Sequence, residues 1–172
     1  MKKKLCLILY YSCARYLPRS SRSKFSKAIR FFLCKRIFKE CGVNVNVERM
    51  AWFGSGENII IGDNSGIGVN ARILNNTLIG KNVMMGPNCY ILESTHVFAD
   101  VDIPMREQGR VHERIQVVIE DDVWIGRDVL IIGSKKMRKG TILGVRTLLT
   151  KNFPEYSVVG GNPSKLIRSR LD

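Results

Sequence analysis

IGDNSG-IGVNAR-ILNNTL-IGKNVM-MGPNCY-ILESTH, residues 61–96, decides the architecture. Cut into sixes, the stretch puts Ile61, Ile67, Ile73, Ile79, Met85 and Ile91 in the first place. Glycine follows at 62, 68, 80 and 86, and the fifth place holds Ser65, Ala71, Thr77, Val83, Cys89 and Thr95. A period of six belongs to neither an amphipathic helix nor an alternating strand. It fits a short strand followed by a corner, three of which close a triangular coil of about eighteen residues. Such coils stack as parallel strands about 4.8 Å apart. The first place then points into the prism and needs an aliphatic side chain. The fifth also turns inward, near a corner where volume is short. Glycine and asparagine tolerate the backbone bends at the corners.

After His96 the rhythm stops, and it resumes as IEDDVW, IGRDVL, IIGSKK, MRKGTI and LGVRTL. The new first places are Ile119, Ile125, Ile131, Met137 and Leu143. Ile91 to Ile119 is 28 residues, four sixes plus four, so the frame slips. An excursion loop at about 97–117 therefore separates two blocks of one repeat. Upstream, GSGENI at 54–59 marks less regular turns that begin near Val43. In the second block Lys135 occupies a place otherwise held by small residues, so that coil is expected to be distorted or bulged.

The net charge of +13 is concentrated at one end. The first acidic residue is Glu40, and twelve lysines and arginines precede it; the rest of the chain holds 28 − 12 = 16 basic and 15 acidic residues. Residues 1–42 thus read as a basic arm and 43–172 as a near-neutral repeat domain. The arm opens with MKKKLCLILYYSCA, which has the look of a signal peptide but lacks a small-x-small cleavage site. Its apolar run is also too short to span a bilayer. A second helix is expected in SKFSKAIRFFLCKRIFKECG, residues 23–42, where Phe25, Ile29 and Phe32 stand at i, i+4 and i+7 and Gly42 is a natural stop. Two readings of this arm stand side by side: an amphipathic helix on an anionic membrane face, and a helical cap whose apolar side packs on the repeat domain. No nucleic-acid motif accompanies the charge. Five scattered cysteines form no CxxC or zinc spacing and fit a reducing, cytoplasmic compartment. Two histidines in the chain supply a three-histidine zinc site poorly, so no metal is expected.

VIEDDVWIG (118–126), LLTKNFPEYSVVGGNPSKLIR (148–168) and STH…PMREQG (94–109) carry a more specific signal. With the repeat, they resemble the hexapeptide-repeat acyltransferases over roughly residues 43–170. The similarity is to the sugar and capsule O-acetyltransferase branch that includes galactoside and maltose acetyltransferases. The resemblance implies a left-handed parallel β-helix, acetyl-CoA as co-substrate and a sugar or polysaccharide-precursor acceptor. It also implies a homotrimer with active sites in clefts between neighbouring prisms.

The resemblance makes His96 the general base. It sits at a corner just before the excursion, with its imidazole outside the prism, and a neutral imidazole near pH 7 suits the role. His112, deep in the loop, is the weaker candidate. Glu93, Asp100, Asp102 or a backbone carbonyl could orient His96. Trp124 is outward by its place in the repeat, and the resemblance makes it an aromatic wall of the acceptor or thioester pocket. Asn70 is either an acceptor ligand by the same resemblance or a corner-forming residue by its place in the repeat. Thr150 and Lys151 match the family's Thr-Lys pair. Asn162 reads as a helix cap and Pro163 as the first residue of a short C-terminal helix. Lys165 and Arg168, at i and i+3 on that helix, would then hold the coenzyme A phosphates. Arg127 and Val145 stand where the galactoside-type enzymes have small residues, so the pantetheine groove is expected to be lined differently. Cys89 reads as core, and with no covalent nucleophile evident, direct transfer is the simpler mechanism. Two other functions remain open: acetylation of an antibiotic or amino group by the same chemistry, and a non-catalytic scaffold.

Overall fold

The computed structural model describes residues 2–92, 96–111 and 115–172. Short parallel strands wind into a triangular prism with three faces. Face one stacks β1 (Glu40–Cys41), β3 (Ile60–Ile61), β5 (Leu78–Ile79), β8 (Val117–Ile119) and β11 (Lys135–Met137). Face two begins with β2 (Asn46–Val47) and β4 (Gly66–Ile67) and continues through β6 (Met84–Met85), β9 (Trp124–Ile125), β12 (Ile142–Leu143) and β14 (Ser157–Gly160). Gly66 N–H donates to Val83 O at 3.0 Å and ties β4 to the coil above. Face three stacks β7 (Tyr90–Leu92), β10 (Leu130–Ile132) and β13 (Leu148–Leu149), preceded by the bridged residues Trp52 and Arg72.

The side chains sort as the six-residue period requires. Ile61, Ile67, Ile73, Ile79, Ile91, Ile119, Ile125, Ile131, Met137 and Leu143 are all buried along the prism axis, with Ser65, Ala71, Thr77, Val83, Cys89, Val123 and Val129 between them. Burial pushes the Cys89 thiol up to about 11, and its Sγ lies 3.2 Å from both Gly86 O and Gly126 O, a core position. Asparagines form the corners in left-handed backbone: Asn64, Asn70, Asn82 and Asn88 have φ of 54–59°. Their amides bond from coil to coil, Asn70 Nδ2 donating to Asn88 Oδ1 (3.1 Å) and Asn88 Nδ2 to Asp128 Oδ1 (2.8 Å). Glycine in the second place answers a different need, close stacking. A Cβ on Gly126 would stand 2.8 Å from Leu143 O.

Register measures the excursion. Ile60 pairs with Leu78 and Val118 with Lys136, both 18 residues apart, whereas Leu78 pairs with Val118, 40 residues on. The insertion is therefore 40 − 18 = 22 residues, a full coil plus the four-residue slip seen in the sequence. It leaves at the corner between faces three and one. The coil containing Lys135 is not bulged: Lys135–Met137 pair with Val117–Ile119 in unbroken register, because Gly133 turns the corner at φ 68°.

The C-terminal element differs from the expected helix. Lys165–Ser169 is a strand, β15, running antiparallel on the outer edge of β14. The last coil leaves the edge of β14 open, and pairing that edge satisfies more backbone groups than one isolated helical turn could. Asn162 and Pro163 accordingly belong to a turn, not a helix start.

The N-terminal arm forms α1 (Lys3–Ser12) and α2 (Lys24–Ile37), packed on each other and on the first coil. Tyr10 Oη donates to Ala51 O (3.0 Å) and its ring lies against Phe53, with centroids 4.6 Å apart. Ser23 caps α2 by accepting from Ser26 N–H (3.1 Å). The face of α2 turned to the prism carries Ser26, Arg30, Leu33, Cys34 and Ile37. Arg30, with no exposed surface, is the clamp. Its Nε donates to Val47 O (2.7 Å), Nη1 to Leu17 O (3.3 Å) and Pro18 O (3.0 Å), and Nη2 to Ser20 Oγ (2.9 Å). Glu48 Oε2 lies 3.8 Å from Nη2. Burial alone would raise the Glu48 carboxyl, but donors from Ser20, Arg49 and Asn46 outweigh it and hold the group below its ordinary value. Of the Phe25–Ile29–Phe32 stripe, Phe25 and Phe32 are exposed, while Ile29 packs half-buried against the core.

Candidate active site

His96 is the first described residue of the excursion, and it is exposed. It bridges Arg110 across an antiparallel pair, and Val97 N–H donates to Gly109 O (3.1 Å), so the excursion leaves the prism as a narrow ribbon. Gln108 organises the tip. Its Nε2 donates to Asp100 O (2.7 Å) and Ile103 O (2.6 Å), while its Oε1 accepts from Asp100 N–H (3.2 Å). Asp100 Oδ1 is occupied by Asp102 N–H at 2.9 Å, a local turn rather than a bond to His96. Glu93 and His112 lie outside the described residues. The loop exposes Phe98, Val101, Ile103 and Met105, an apolar rim around the ribbon.

Trp124 stands outward on face two, 50% exposed. Register places it in a column with Met84 on one side and Ile142 then Val158 on the other. The column continues onto β15. Val158 faces Arg168 and Gly160 faces Lys165, with a register shift between. In an unbroken strand Lys165 and Arg168 would point to opposite sides; the extra residue restores them to one side, the outer side that Val158 and Trp124 share. Three strand spacings, about 14 Å, separate Trp124 from Arg168. So the pairing of the two cations survives, by a bulge in a strand and not by a helical turn.

Thr150 and Lys151 follow β13 at the end of face three. Thr150 N–H donates to Ser164 Oγ (3.2 Å), which couples this pair to the base of β15. The Lys151 ammonium lies 5.5 Å from the Phe153 ring centroid, at the surface. Arg127 and Val145 are exposed at the corner between faces two and three, and Arg127 Nε pairs with Asp128 Oδ2 at 3.2 Å. Hydrogen bonding from Asn88, with the nearby arginines, holds the Asp128 carboxyl below its ordinary value. Asn70 is a corner residue by φ and by its bond to Asn88.

One chain does not bring all of these together. The corner from which His96 departs lies across the prism from face two, where Trp124, Lys165 and Arg168 stand. Sequence reasoning missed a further group: Arg72 is sandwiched between Trp52 and Tyr90 on face three, 4.3 and 5.4 Å from the ring centroids. The only signal was position, since the three residues stand at matching places in successive coils. Tyr90 opens β7, the last strand of face three before the excursion.

Residues 58–93 match the family described as bacterial transferase hexapeptide (six repeats). The galactoside O-acetyltransferase of Escherichia coli K12 is 30% identical over 140 residues, 81% of this chain and 68% of that protein. The chain belongs to the hexapeptide-repeat acetyltransferases. Its prism is the left-handed parallel β-helix of that family. A solved galactoside acetyltransferase in complex with coenzyme A superposes with a TM-score of 0.79 at 28% identity, covering 97% of this chain and 80% of that one. A chloramphenicol acetyltransferase from Agrobacterium fabrum is 46% identical, but over only 55 residues, 32% of this chain and 26% of that protein. The aligned stretch thus spans about a quarter of that relative's length.

Proposed function

We propose that this hexapeptide-repeat protein is an acetyl-CoA-dependent O-acetyltransferase acting on a sugar hydroxyl in the assembly of a surface polysaccharide. The chemistry resides in residues 43–172, and the protein works in the cytoplasm as a homotrimer. One observation carries the reading: the base candidate His96 and the cations Lys165 and Arg168 lie on opposite sides of one prism. Side-by-side packing of two prisms would set His96 and the excursion of one copy against face two of the next. The apolar rim of Phe98, Val101, Ile103 and Met105 supports such a contact, since an exposed apolar group of this size needs a partner.

Acetyl-CoA fits the residues present. Its phosphates need exposed cations, which Lys165, Arg168 and Lys151 supply; its pantetheine arm needs an apolar track, which Val158, Ile142 and Trp124 supply. Bound there, it would provide an acetyl group activated as a thioester. His96 would take the proton from the acceptor hydroxyl as that oxygen attacks the carbonyl carbon; the C–O bond forms, the C–S bond breaks, and the leaving sulfur takes the proton from His96. The Trp52–Arg72–Tyr90 stack on face three offers aromatic and cationic surface for the acceptor.

The test is acetyl transfer to a panel of sugars. Changing His96→Ala should lower turnover on the order of 10²–10⁴-fold with the melting temperature unchanged. Retained turnover would overturn the base assignment. Mixed oligomers of His96→Ala and Arg168→Glu chains should regain activity if two copies share each site; a mixture as inactive as its components would reject the shared cleft. Chloramphenicol belongs in the acceptor panel, because a 55-residue stretch is 46% identical to an enzyme named for it.

A further inference from the structure

The helical hairpin at the N-terminus carries a surface the catalytic reading does not use. On α1, Leu5, Ile8 and Leu9 are exposed; on α2, Phe25 is 74% exposed and Phe32 is exposed about two turns further on. These residues fall at i, i+3, i+4 and i, i+7, so each helix presents an apolar stripe to the outside. The opposite face of α2 is already spent on Arg30, Cys34 and Ile37 against the first coil. Leu9 and Phe32 also line one groove of about 630 Å³ between the helices, with Cys13, Ala14, Ala28, Ile29 and Leu33.

The charge around this groove is of one sign. Residues 1–39 contain twelve basic and no acidic side chains. Lys4, Lys24, Lys35 and Arg36 are exposed beside the stripes, and the Arg36 guanidinium lies 3.6 Å from the Phe32 ring centroid. No helix among the described residues is long and apolar enough to cross a membrane. A second copy is a poor occupant, because two such hairpins face to face would repel, and the remainder of the chain offers a balance of only 16 basic to 15 acidic residues. An anionic lipid surface answers both features: it takes apolar side chains below the headgroups and attracts the cations at headgroup level.

We propose that the α1–α2 hairpin docks the protein on an anionic bilayer, with Ile8, Phe25 and Phe32 entering the acyl boundary and Lys4, Lys24, Lys35 and Arg36 at the headgroups. Arg30 orients the device: by clamping one face of α2 to the prism it leaves the other free for lipid. The enzyme body then hangs from the surface by one end of its prism. This surface stands independently of the acyl-transfer reading.

The experiment is flotation of the full chain, without acetyl-CoA, on phosphatidylcholine vesicles with and without about a third phosphatidylglycerol. Flotation is expected only with the anionic lipid, and added salt should weaken it. A Phe25→Trp variant should shift its emission to the blue on those vesicles alone. The triple variant Ile8→Ser, Phe25→Ser, Phe32→Ser alters exposed positions, so it should melt as the parent does while losing roughly tenfold or more of its partitioning. The proposal is overturned by absent flotation, by equal flotation on pure phosphatidylcholine, or by a triple variant that floats like the parent. It is equally overturned if the parent ignores vesicles and the triple variant instead loses oligomer mass in light scattering. Acetyl transfer is read separately, so failure of one leaves the other intact.

Discussion

Replacing Arg30 by Met tests what holds the helical hairpin to the prism. The substitution keeps an unbranched side chain of similar length and removes the guanidinium. Four acceptors then lose their donor: Val47 O, Leu17 O, Pro18 O and Ser20 Oγ. Glu48 also loses its nearest cation, 3.8 Å away. Hydrogen bonds from a charged donor contribute about 1.5–3 kcal/mol each, but those near the helix linker can be replaced in part by water. Breaking a buried ion pair by removing one partner costs about 3–5 kcal/mol, and that range is the working figure here. For a chain of this size each kcal/mol moves the midpoint by about 2–4 °C, so a loss near 4 kcal/mol corresponds to a fall of roughly 8–16 °C. Thermal unfolding followed by circular dichroism reads it. Hydrogen exchange should place the loss in α1 and α2 and leave the later coils protected. Arg30→Lys should fall between, because an ammonium cannot serve acceptors spread around a planar fork. A fall of less than about 3 °C for the Met variant would refute the clamp, since even two lost bonds would exceed it.

Glu48, held below its ordinary value in the fold, contributes stability that is fully present above the unfolded glutamate range and is lost as pH falls through the lower folded value. Acid titration of the midpoint should therefore show a component below about pH 4.5 that Glu48→Gln removes. Gly126→Ala places a methyl 2.8 Å from Leu143 O and should destabilise by about 1–3 kcal/mol, measured by denaturant unfolding. At Asn88, with φ 59°, Ala should cost about 1 kcal/mol more than Gly, because both lose the bond to Asp128 but only Ala pays for left-handed backbone; equal losses would reject the corner argument.

The prism was legible because a β-helix makes the same demand at every sixth residue. An inward Ile and a small fifth residue recur with no need for long-range information, and the 28-residue step after Ile91 already contained the four-residue slip. Two other features required knowledge of neighbours. NPSKLIRSR has the local marks of a helix start, yet the open edge of β14 is a property of the preceding coil and cannot be seen in those nine residues. Likewise the Phe25–Ile29–Phe32 stripe left open whether α2 turned it to a membrane or packed it on the repeat domain. The inward side holds Arg30, whose burial depends on carbonyls from residues 17, 18 and 47 arriving around it. For the site, the positions of His96 and Trp124 outside the prism followed from the repeat. That they stand on opposite sides of it followed only from the winding.

The 22-residue excursion has one more consequence. Leu78 pairs directly with Val118, and the coils close beneath the loop as though it were absent. Its length and composition are thus nearly decoupled from the cohesion of the scaffold. Substitutions in the loop carry little thermodynamic risk, whereas the same changes in a coil would propagate to the coils stacked on it. Selection can then treat the excursion as an exchangeable cassette, remodelling the surface it presents while the prism stays constant.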